Sequence, residues 1–355
     1  MKVLQVCPRY YPSIGGVEEH VRNISERLAK EFDVSILTTD PSGKLPKSEN
    51  VGGIEVLRFK SWAPNDSYYF SSELRKYLAD YSERYDVVHA HSYHALPALY
   101  AAESKRNNKM IFTSHYHGSG HSWFRKLLHV PYKYFGNRIL QKADRIICVS
   151  KYEKTLLRSR FNVDENRVFV IPNGVSLEEF RFPKKKDEEN RVILYVGRLE
   201  KYKGIHYLIK VLKKLDYDVI LEIVGKGPYK KKLVALAEKQ GVTDRVKFHE
   251  DLPRQDLLQK YASADLFVLL SEYEAYSISV AEALASRTPC IVANKSSLTE
   301  WVDDENCFGL DYPIDIDGLA RLTCSVIGKE VGAVTLPDWN DVSRKVAEVY
   351  RACQK

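Results

Sequence analysis

Leu266-Phe-Val-Leu-Leu270, followed by Ser271-Glu-Tyr-Glu274-Ala-Tyr-Ser-Ile-Ser-Val-Ala-Glu282-Ala-Leu-Ala285, is the stretch from which the fold is read. An apolar run of strand length gives way to a polar loop and then to an alanine-rich helical pattern, which is one strand-loop-helix unit. It sets Glu274 in the loop and Glu282 early in the helix. Carboxylates accept hydrogen bonds from hydroxyls, and the first amides of a helix donate to phosphate oxygens, so both are on offer in one small volume. That combination suits a nucleotide sugar. The helix dipole alone also favours carboxylates near a helix start, so the pair taken by itself is equally a solvated one.

Upstream, Tyr195-Val-Gly197-Arg198-Leu-Glu-Lys-Tyr-Lys203-Gly204 ends another strand pattern and adds two cations beside a glycine turn and a helix start. A diphosphate needs such a cradle, and fixed cations in a dry site lower the barrier to breaking a sugar–phosphate bond. The rest of the chain repeats the alternation. Val3 to Cys7, Val34 to Thr38, Ile54 to Phe59, Val87 to His89, Met110 to Thr113, Ile146 to Val149 and Val168 to Ile171 read as strands in the first half. Strands near Val192, Ile220 to Val224, Val246 to Phe248, Leu266 to Leu270 and Ile291 to Ala293 follow in the second. Strands alternating with helical periods predict parallel sheets covered on both faces. Arg181 to Arg191, charged and poor in apolar residues, reads as a linker, and Asp338 to Cys353 reads as a final helix.

Glu274 and Glu282, Gly197-Arg198 with Lys203-Gly204, and Ile171-Pro-Asn173-Gly174-Val between the halves resemble, in order and spacing, the family 4 retaining glycosyltransferases with the GT-B fold. Gly15-Gly16, Val224-Gly225-Lys-Gly227-Pro and the closing Trp339-Asn-Asp-Val…Tyr350 also match. The resemblance implies an α/β protein of two Rossmann-like, doubly wound domains facing across a cleft. The expected domains are 1–178 with a crossover helix at 338–355 on the acceptor side, and 179–337 on the nucleotide-sugar side. It implies that Gly15 and Gly16 present amides to a phosphate, Glu282 meets the ribose, Glu274 the transferred hexose, and His115 the donor sugar, with His117 the second choice. Gly197, Arg198, Lys203, Gly225 and the loop Ala275, Tyr276, Ser277 and Ile278 complete the expected donor site. His115, Arg198, Lys203 and Glu274 are the expected catalytic set, with His89 and His91 either lining the pocket or structural. Family members often carry glycine at the positions of Ala275, Ser277 and Arg287, and Gly-Gly where this chain has Ser296-Ser297.

The implied reaction moves a hexose from GDP-mannose, UDP-glucose or UDP-N-acetylglucosamine to a lipid-linked or glycan acceptor. An epimerase of the same fold and a non-catalytic nucleotide-sugar or glycan binding protein are the competing readings. No cofactor and no metal are expected, on the ground that no Asp-x-Asp pair is present to hold a divalent cation.

The 355 residues are enough for two cores, and 44% apolar with 28% charged residues reads as soluble and globular. No apolar run approaches the ~18 residues of a membrane span and the start Met-Lys-Val-Leu-Gln-Val-Cys-Pro has no signal-peptide pattern, so a cytoplasmic protein is expected, peripheral on the membrane face if the basic stretch below binds lipid. Six scattered cysteines, among them Cys7, Cys148 and Cys290 in strand patterns, suggest neither disulfide nor zinc. Of the net charge of +7, much sits between Ser104 and Ala143, where eight cations and no acid occur. Without a nucleic-acid-binding motif, that stretch, from Trp123, Phe124, Arg125 and Lys126 to Lys133, reads either as a surface for anionic lipid or as a helix covering the sheet.

Overall fold

The computed structural model describes residues 1–354 except 119–122, 181–189, 217 and 333, and the side chains of 65 and 123–132 are also outside the description. The chain divides into two compact units, Met1–Gly174 with Trp339–Lys355, and Val175–Asp338. The break after Gly174 lies ahead of Arg181 to Arg191, the stretch read as a linker, most of which lies outside the described residues.

In chain order the first unit contains β1 (Lys2–Val6), α1 (Gly16–Leu28), β2 (Asp33–Asp40), β3 (Ser48–Val51), β4 (Ile54–Lys60), α2 (Ser72–Tyr81), β5 (Val87–His91), α3 (Leu96–Glu103), β6 (Lys109–Thr113), α4 (Trp123–Lys142), β7 (Arg145–Cys148), α5 (Lys151–Arg160) and β8 (Val168–Val170). Its sheet runs β3-β4-β2-β1-β5-β6-β7-β8. Every pairing is parallel except β3 with β4. That edge hairpin is absent from the strand pattern of the sequence because Ser48-Glu-Asn-Val51 has no apolar face. Its signal is Gly52-Gly53, both at positive φ, the two-residue turn that joins Val51 to Ile54.

The second unit contains β9 (Arg191–Val196), α6 (Ile205–Val211), β10 (Val219–Val224), α7 (Lys230–Gln240), β11 (Val246–His249), α8 (Arg254–Ser263), β12 (Leu266–Leu269), α9 (Ile278–Ala285), β13 (Cys290–Ala293), β14 (Cys307–Leu310) and α10 (Ile316–Val326). The order β11-β10-β9-β12-β13-β14, all parallel, reverses direction between β9 and β12. The first sheet reverses likewise between β1 and β5. In open sheets such reversals open a crevice beyond the carboxyl ends of the strands, because the flanking crossovers leave to opposite faces. The central strands β1, β5, β9 and β12 are buried on both faces and mostly apolar, with Gln5 of β1 and His89 and His91 of β5 the buried polar exceptions, and a core forms in each unit.

The last helix, α11 (Trp339–Gln354), belongs to the first unit, where it lies along α1. Val342, Val346 and Tyr350 stand one turn apart on its buried face. The Tyr350 hydroxyl accepts from Gln5 Nε2 of β1 at 3.0 Å and meets His89 Nδ1 of β5 at 2.6 Å. Arg27 of α1 donates to Asn340, and Arg351 pairs with Glu31. Removing one buried hydroxyl strands two polar partners, which costs about 1–3 kcal/mol for each group left unpaired. Tyr350→Phe is therefore expected to lower stability by at least that amount in chemical denaturation, while Arg351→Ala at the exposed pair changes it by under about 1 kcal/mol.

Candidate functional site

In the second unit the residues singled out by sequence come together at the reversal. The loop after β9 carries Gly197, Arg198 and Lys203, and the loop after β12 carries Glu274. The two loops are tied by a hydrogen bond from Glu272 N to Tyr202 O at 2.8 Å. Across them Lys203 Nζ meets Glu274 Oε1 at 2.5 Å, with side chains only 15% and 12% exposed. Burial works against the Lys203 charge, but Glu274 outweighs it and holds the ammonium above its ordinary value. Arg198 stands nearer solvent, 3.5 Å from Glu200, and Tyr195 donates its hydroxyl to the Arg198 carbonyl at 2.9 Å. Both cations stand in the loop after β9, and Lys203 is already matched by Glu274. A diphosphate must compete with Glu274 for it.

Glycine is a steric requirement here. A Cβ at Gly204 would lie 2.2 Å from Leu270 O, and one at Gly225, after β10, would lie 2.0 Å from Gly197 O. Both also have positive φ. The loops after β9, β10 and β12 therefore approach one another backbone to backbone, leaving amides rather than side chains at the crevice.

Glu282 is buried on α9, and both of its oxygens are held. Oε1 accepts from Arg254 Nη1 at 2.5 Å and Oε2 from the Tyr261 hydroxyl at 2.9 Å. Arg254, at the start of α8, also pairs with Glu179 at 2.8 Å and lies over the Phe180 ring. Sequence reasoning missed Arg254 and Tyr261, which lie more than twenty residues from Glu282 and carry no motif. Between the two carboxylates run Ala275, Tyr276, Ser277 and Ile278. Trp301 Nε1 donates to the Tyr276 carbonyl at 2.8 Å, and Ser296 Oγ accepts from the Glu274 amide at 3.1 Å. Ser277, Arg287 and Ser296 have φ of 80°, 58° and 57°. These are positions at which the family often has glycine, so the left-handed backbone is kept and glycine's freedom given up.

In the first unit, Gly15 and Gly16 open α1 beyond β1, and a Cβ at Gly16 would meet nothing within 4 Å. Beside them, at the ends of β5 and β6, stands a histidine cluster. His115 packs edge-on to His20 at 5.0 Å and stacks on His91 at 6.0 Å, whereas His117 stacks on His94 at 4.9 Å. His89 is spent structurally, bonded to Tyr350 and to Thr113 Oγ1 at 2.7 Å. His91 Nε2 meets Gln5 Oε1 at 2.8 Å, and His20 Nδ1 meets Asn173 Oδ1 at 2.7 Å. Burial pushes His20 down to about 4, and burial with neighbouring imidazoles drives His89, His91 and His115 well below the usual range. All four are neutral at pH 7.

The His115 loop is clamped from beneath. Glu153 of α5 is fully buried and accepts from Ser114 Oγ at 2.5 Å, from the Tyr116 amide and from the Val149 amide at 2.5 Å. That grip on both neighbours of His115 accompanies a φ of 48° at His115 itself. Sequence reading missed Glu153, although Ser150-Lys-Tyr-Glu153 is a capping-box pattern and Ser150 does cap α5. His20 was missed too, though His20, Ile24 and Leu28 share the buried stripe of α1.

The argument from Asp-x-Asp needs correction. Two such pairs exist, Asp216 with Asp218 and Asp315 with Asp317. Neither belongs to the loops above: Asp216 gives its carbonyl to Arg245 at 2.5 Å, Asp218 lies 3.7 Å from Arg191, Asp315 caps α10, and Asp317 pairs with Lys214 at 2.6 Å. The cysteines of the strand patterns, Cys7, Cys148 and Cys290, are buried and unpaired. The side chains of Trp123, Phe124, Arg125 and Lys126 lie outside the described residues, while Lys133 and Arg138 of α4 are exposed. Among the described residues no helix is long and apolar enough to cross a membrane.

Comparison with known proteins bears on the family and the fold. Residues 14–179 match the description Glycosyltransferase Family 4, and residues 176–323 match Glycosyl transferases group 1. An uncharacterised glycosyltransferase of Methanocaldococcus jannaschii, MJ1607, is 28% identical over 99% of this chain and 98% of its own. An uncharacterised glycosyltransferase of Haemophilus influenzae is 30% identical over 80% of this chain and 78% of its own. The solved structure of Anabaena HepE in complex with UDP-glucose superposes with a TM-score of 0.80 at 18% identity, covering 99% of this chain and 100% of that one. With two doubly wound units, glycine-lined loops at each strand-order reversal and matches spanning both halves, the chain belongs to the family 4 glycosyltransferases of GT-B fold.

Proposed function

We propose that this glycosyltransferase is a retaining hexosyltransferase that takes its sugar from a nucleoside diphosphate donor, GDP-mannose, UDP-glucose or UDP-N-acetylglucosamine, and delivers it to a lipid-linked or glycan acceptor. The observation that carries the proposal is the convergence of Arg198, Lys203 and Glu274 from two loops flanking the β9–β12 reversal. The complex of the Anabaena neighbour with UDP-glucose supports a nucleotide-sugar donor. Arg198 and Lys203 meet the diphosphate, with amides of the glycine loops and of the α9 start completing the cradle. As the anomeric carbon–oxygen bond breaks, the electron pair goes to the β-phosphate oxygen. That growing charge draws Lys203 from Glu274 and stabilises the transition state. Glu274, released, orients the hexose, and Glu282, prefixed by Arg254 and Tyr261, holds the ribose. The acceptor hydroxyl attacks on the face of departure, and its proton passes to the leaving phosphate. The cation pair carries the leaving-group charge without a divalent ion at the phosphates.

Lys203→Ala and Arg198→Ala are each expected to slow transfer at least ~100-fold, as for loss of one charge-stabilising donor in a closed site. Because Lys203→Ala also leaves Glu274 buried and unpaired, folding has to be separated from chemistry. The double variant Lys203→Met with Glu274→Leu should regain stability and remain inactive. In the same diphosphate-release assay the wild type should keep its rate in EDTA. Abolition by EDTA with recovery on Mg²⁺ would overturn the mechanism.

Calorimetry with the nucleoside diphosphate should show weaker binding for Glu282→Ala and for Arg254→Ala, which frees Glu282 from its tether. Glu274→Ala should lower transfer more than nucleotide affinity. Equal losses in all three would refute the division between ribose and hexose.

For the acceptor side, the acid-free stretch from Ser104 to Ala143 supports attachment to anionic lipid. Each cation near such a surface contributes on the order of 1 kcal/mol, and salt weakens it. Sedimentation with anionic vesicles should therefore be salt-sensitive and lost in Arg125→Glu with Lys126→Glu. Equal pelleting of that variant would leave the stretch as cover for the sheet.

A further inference from the structure

Past the end of β4 the first unit exposes aromatic surface that the transfer chemistry does not use. Trp62 and Phe70 are 67% and 41% exposed. They face each other across the neck of one loop, each amide donating to the other's carbonyl at 2.9 Å. Residues paired in this way present their side chains on the same face. The two rings lie 5.3 Å apart at 32°, and Tyr68 adds a third, 5.9 Å from Phe70 at 40°. Rings inclined so little to one another make a shallow shelf, and contiguous apolar surface of this kind marks a place where something binds. The loop is held in one shape. Asp66, Tyr68 and Tyr69 have φ of 52°, 67° and 55°, where bulky side chains are rare and the surroundings must impose the backbone. Tyr68 O accepts from the Leu96 amide at the start of α3 at 2.8 Å, and Arg9, in the loop after β1, reaches Asp66 at 3.7 Å and lies over the buried Tyr69 ring. The loop thus leaves β4, meets the loop after β1 and closes against the loop after β5, along the rim of the crevice where Gly15 and Gly16 stand.

We propose that Trp62, Phe70 and Tyr68 form a subsite for a hexose ring of the acceptor other than the one that is glycosylated, so that the acceptor is an oligosaccharide, free or carried on a lipid. The inference rests on the transferase reading above. Two strand spacings, about 10 Å, separate β4 from β1, which is the length of a disaccharide and sets the shelf beyond the accepting sugar. The C–H groups of a pyranose make one face of the ring apolar and slightly positive, and that face packs on the negative face of an aromatic ring. Its hydroxyls then project sideways, where the half-exposed Asp66 carboxylate can accept from them. Charge decides against the other occupant of an exposed aromatic patch, an anionic membrane. Asp66 is the single charged residue from Ser61 to Ser72, and a carboxylate repels anionic lipid.

Full-length wild type, Trp62→Ala and Phe70→Ala should be passed over an array of immobilised oligosaccharides covering α- and β-linked glucans, mannans, galactans and chito-oligosaccharides, and the strongest ligand titrated by calorimetry. The wild type should retain at least one of them. Each variant should bind it about 10-fold more weakly, the scale of one lost ring stack, while Trp62→Tyr, which keeps a ring, stays near the wild type. Affinity for UDP or GDP and acceptor-free release of diphosphate from the donor should not change in any of the variants, and in transfer the acceptor KM should rise with kcat held. The proposal is overturned if no oligosaccharide is retained or if Trp62→Ala binds as the wild type does. It is equally overturned if Trp62→Ala instead abolishes sedimentation with anionic vesicles or dissociates a dimer, since the shelf would then be a membrane or subunit contact. Loss of the subsite alone leaves diphosphate release by the wild type intact, whereas failure of the transferase reading removes that release, so the two failures are told apart.

Discussion

A parallel sheet can be wound outward from a central strand in one direction only until its crossovers fill one face; to cover both faces the chain must return to the centre and wind the other way. That single constraint places the functional residues of both units. In the second unit the return lies between β9 and β12, where Arg198, Lys203 and Glu274 stand. In the first it lies between β1 and β5, where Gly15-Gly16 and the histidines of β5 and of the neighbouring β6 end stand. The loops there can approach closely because Gly204 and Gly225 bring backbone against backbone. A methyl group at either would push apart the loops that hold the paired charges.

The Lys203–Glu274 pair shows what such a crevice costs and what it makes available. Two charges taken from water lose several kcal/mol of solvation each, and their mutual attraction only roughly repays it. The pair is therefore poor cement. It does hold both side chains aimed and keeps Lys203 charged, with desolvation already incurred before a ligand arrives. An incoming diphosphate offers Lys203 a second anion at little further solvation cost. Arg254 does the same for Glu282 from the side, while Tyr261 adds a neutral donor that keeps the carboxylate oriented whichever partner it takes.

Much of this was legible in the sequence where the signal is local. The βα alternation, Gly197 to Gly204 and the Glu274 to Glu282 spacing are contained within about ten residues each, and periodicity and turn chemistry report on that range. The β3–β4 hairpin announced itself only through Gly52-Gly53, since an exposed edge strand needs no apolar face. The histidine network was not legible. Gln5 and Tyr350 are 345 residues apart, and His20 and Asn173 are 153 apart. No period or motif connects them, because what joins them is the sheet order. Even the matches that pointed to the family gave Asn173 and Tyr350 no task. The glycine departures are the converse case: Ser277, Arg287 and Ser296 keep the left-handed backbone, so fold outweighs residue preference there.

The return of the chain end to the first unit follows from the same wiring. β1 and β5 are central strands whose ends must carry polar groups toward the crevice, and buried polar groups need partners. A helix laid against α1 closes that account with one residue. The Tyr350 hydroxyl accepts a hydrogen bond from Gln5 Nε2 and shares another with His89 Nδ1, so one group serves both central strands. A phenylalanine there would fill the same volume but leave Gln5 Nε2 and His89 Nδ1 without that partner. The terminal helix thus does more than cover apolar surface: through one hydroxyl, it supplies the partner that buried polar groups on both β1 and β5 require.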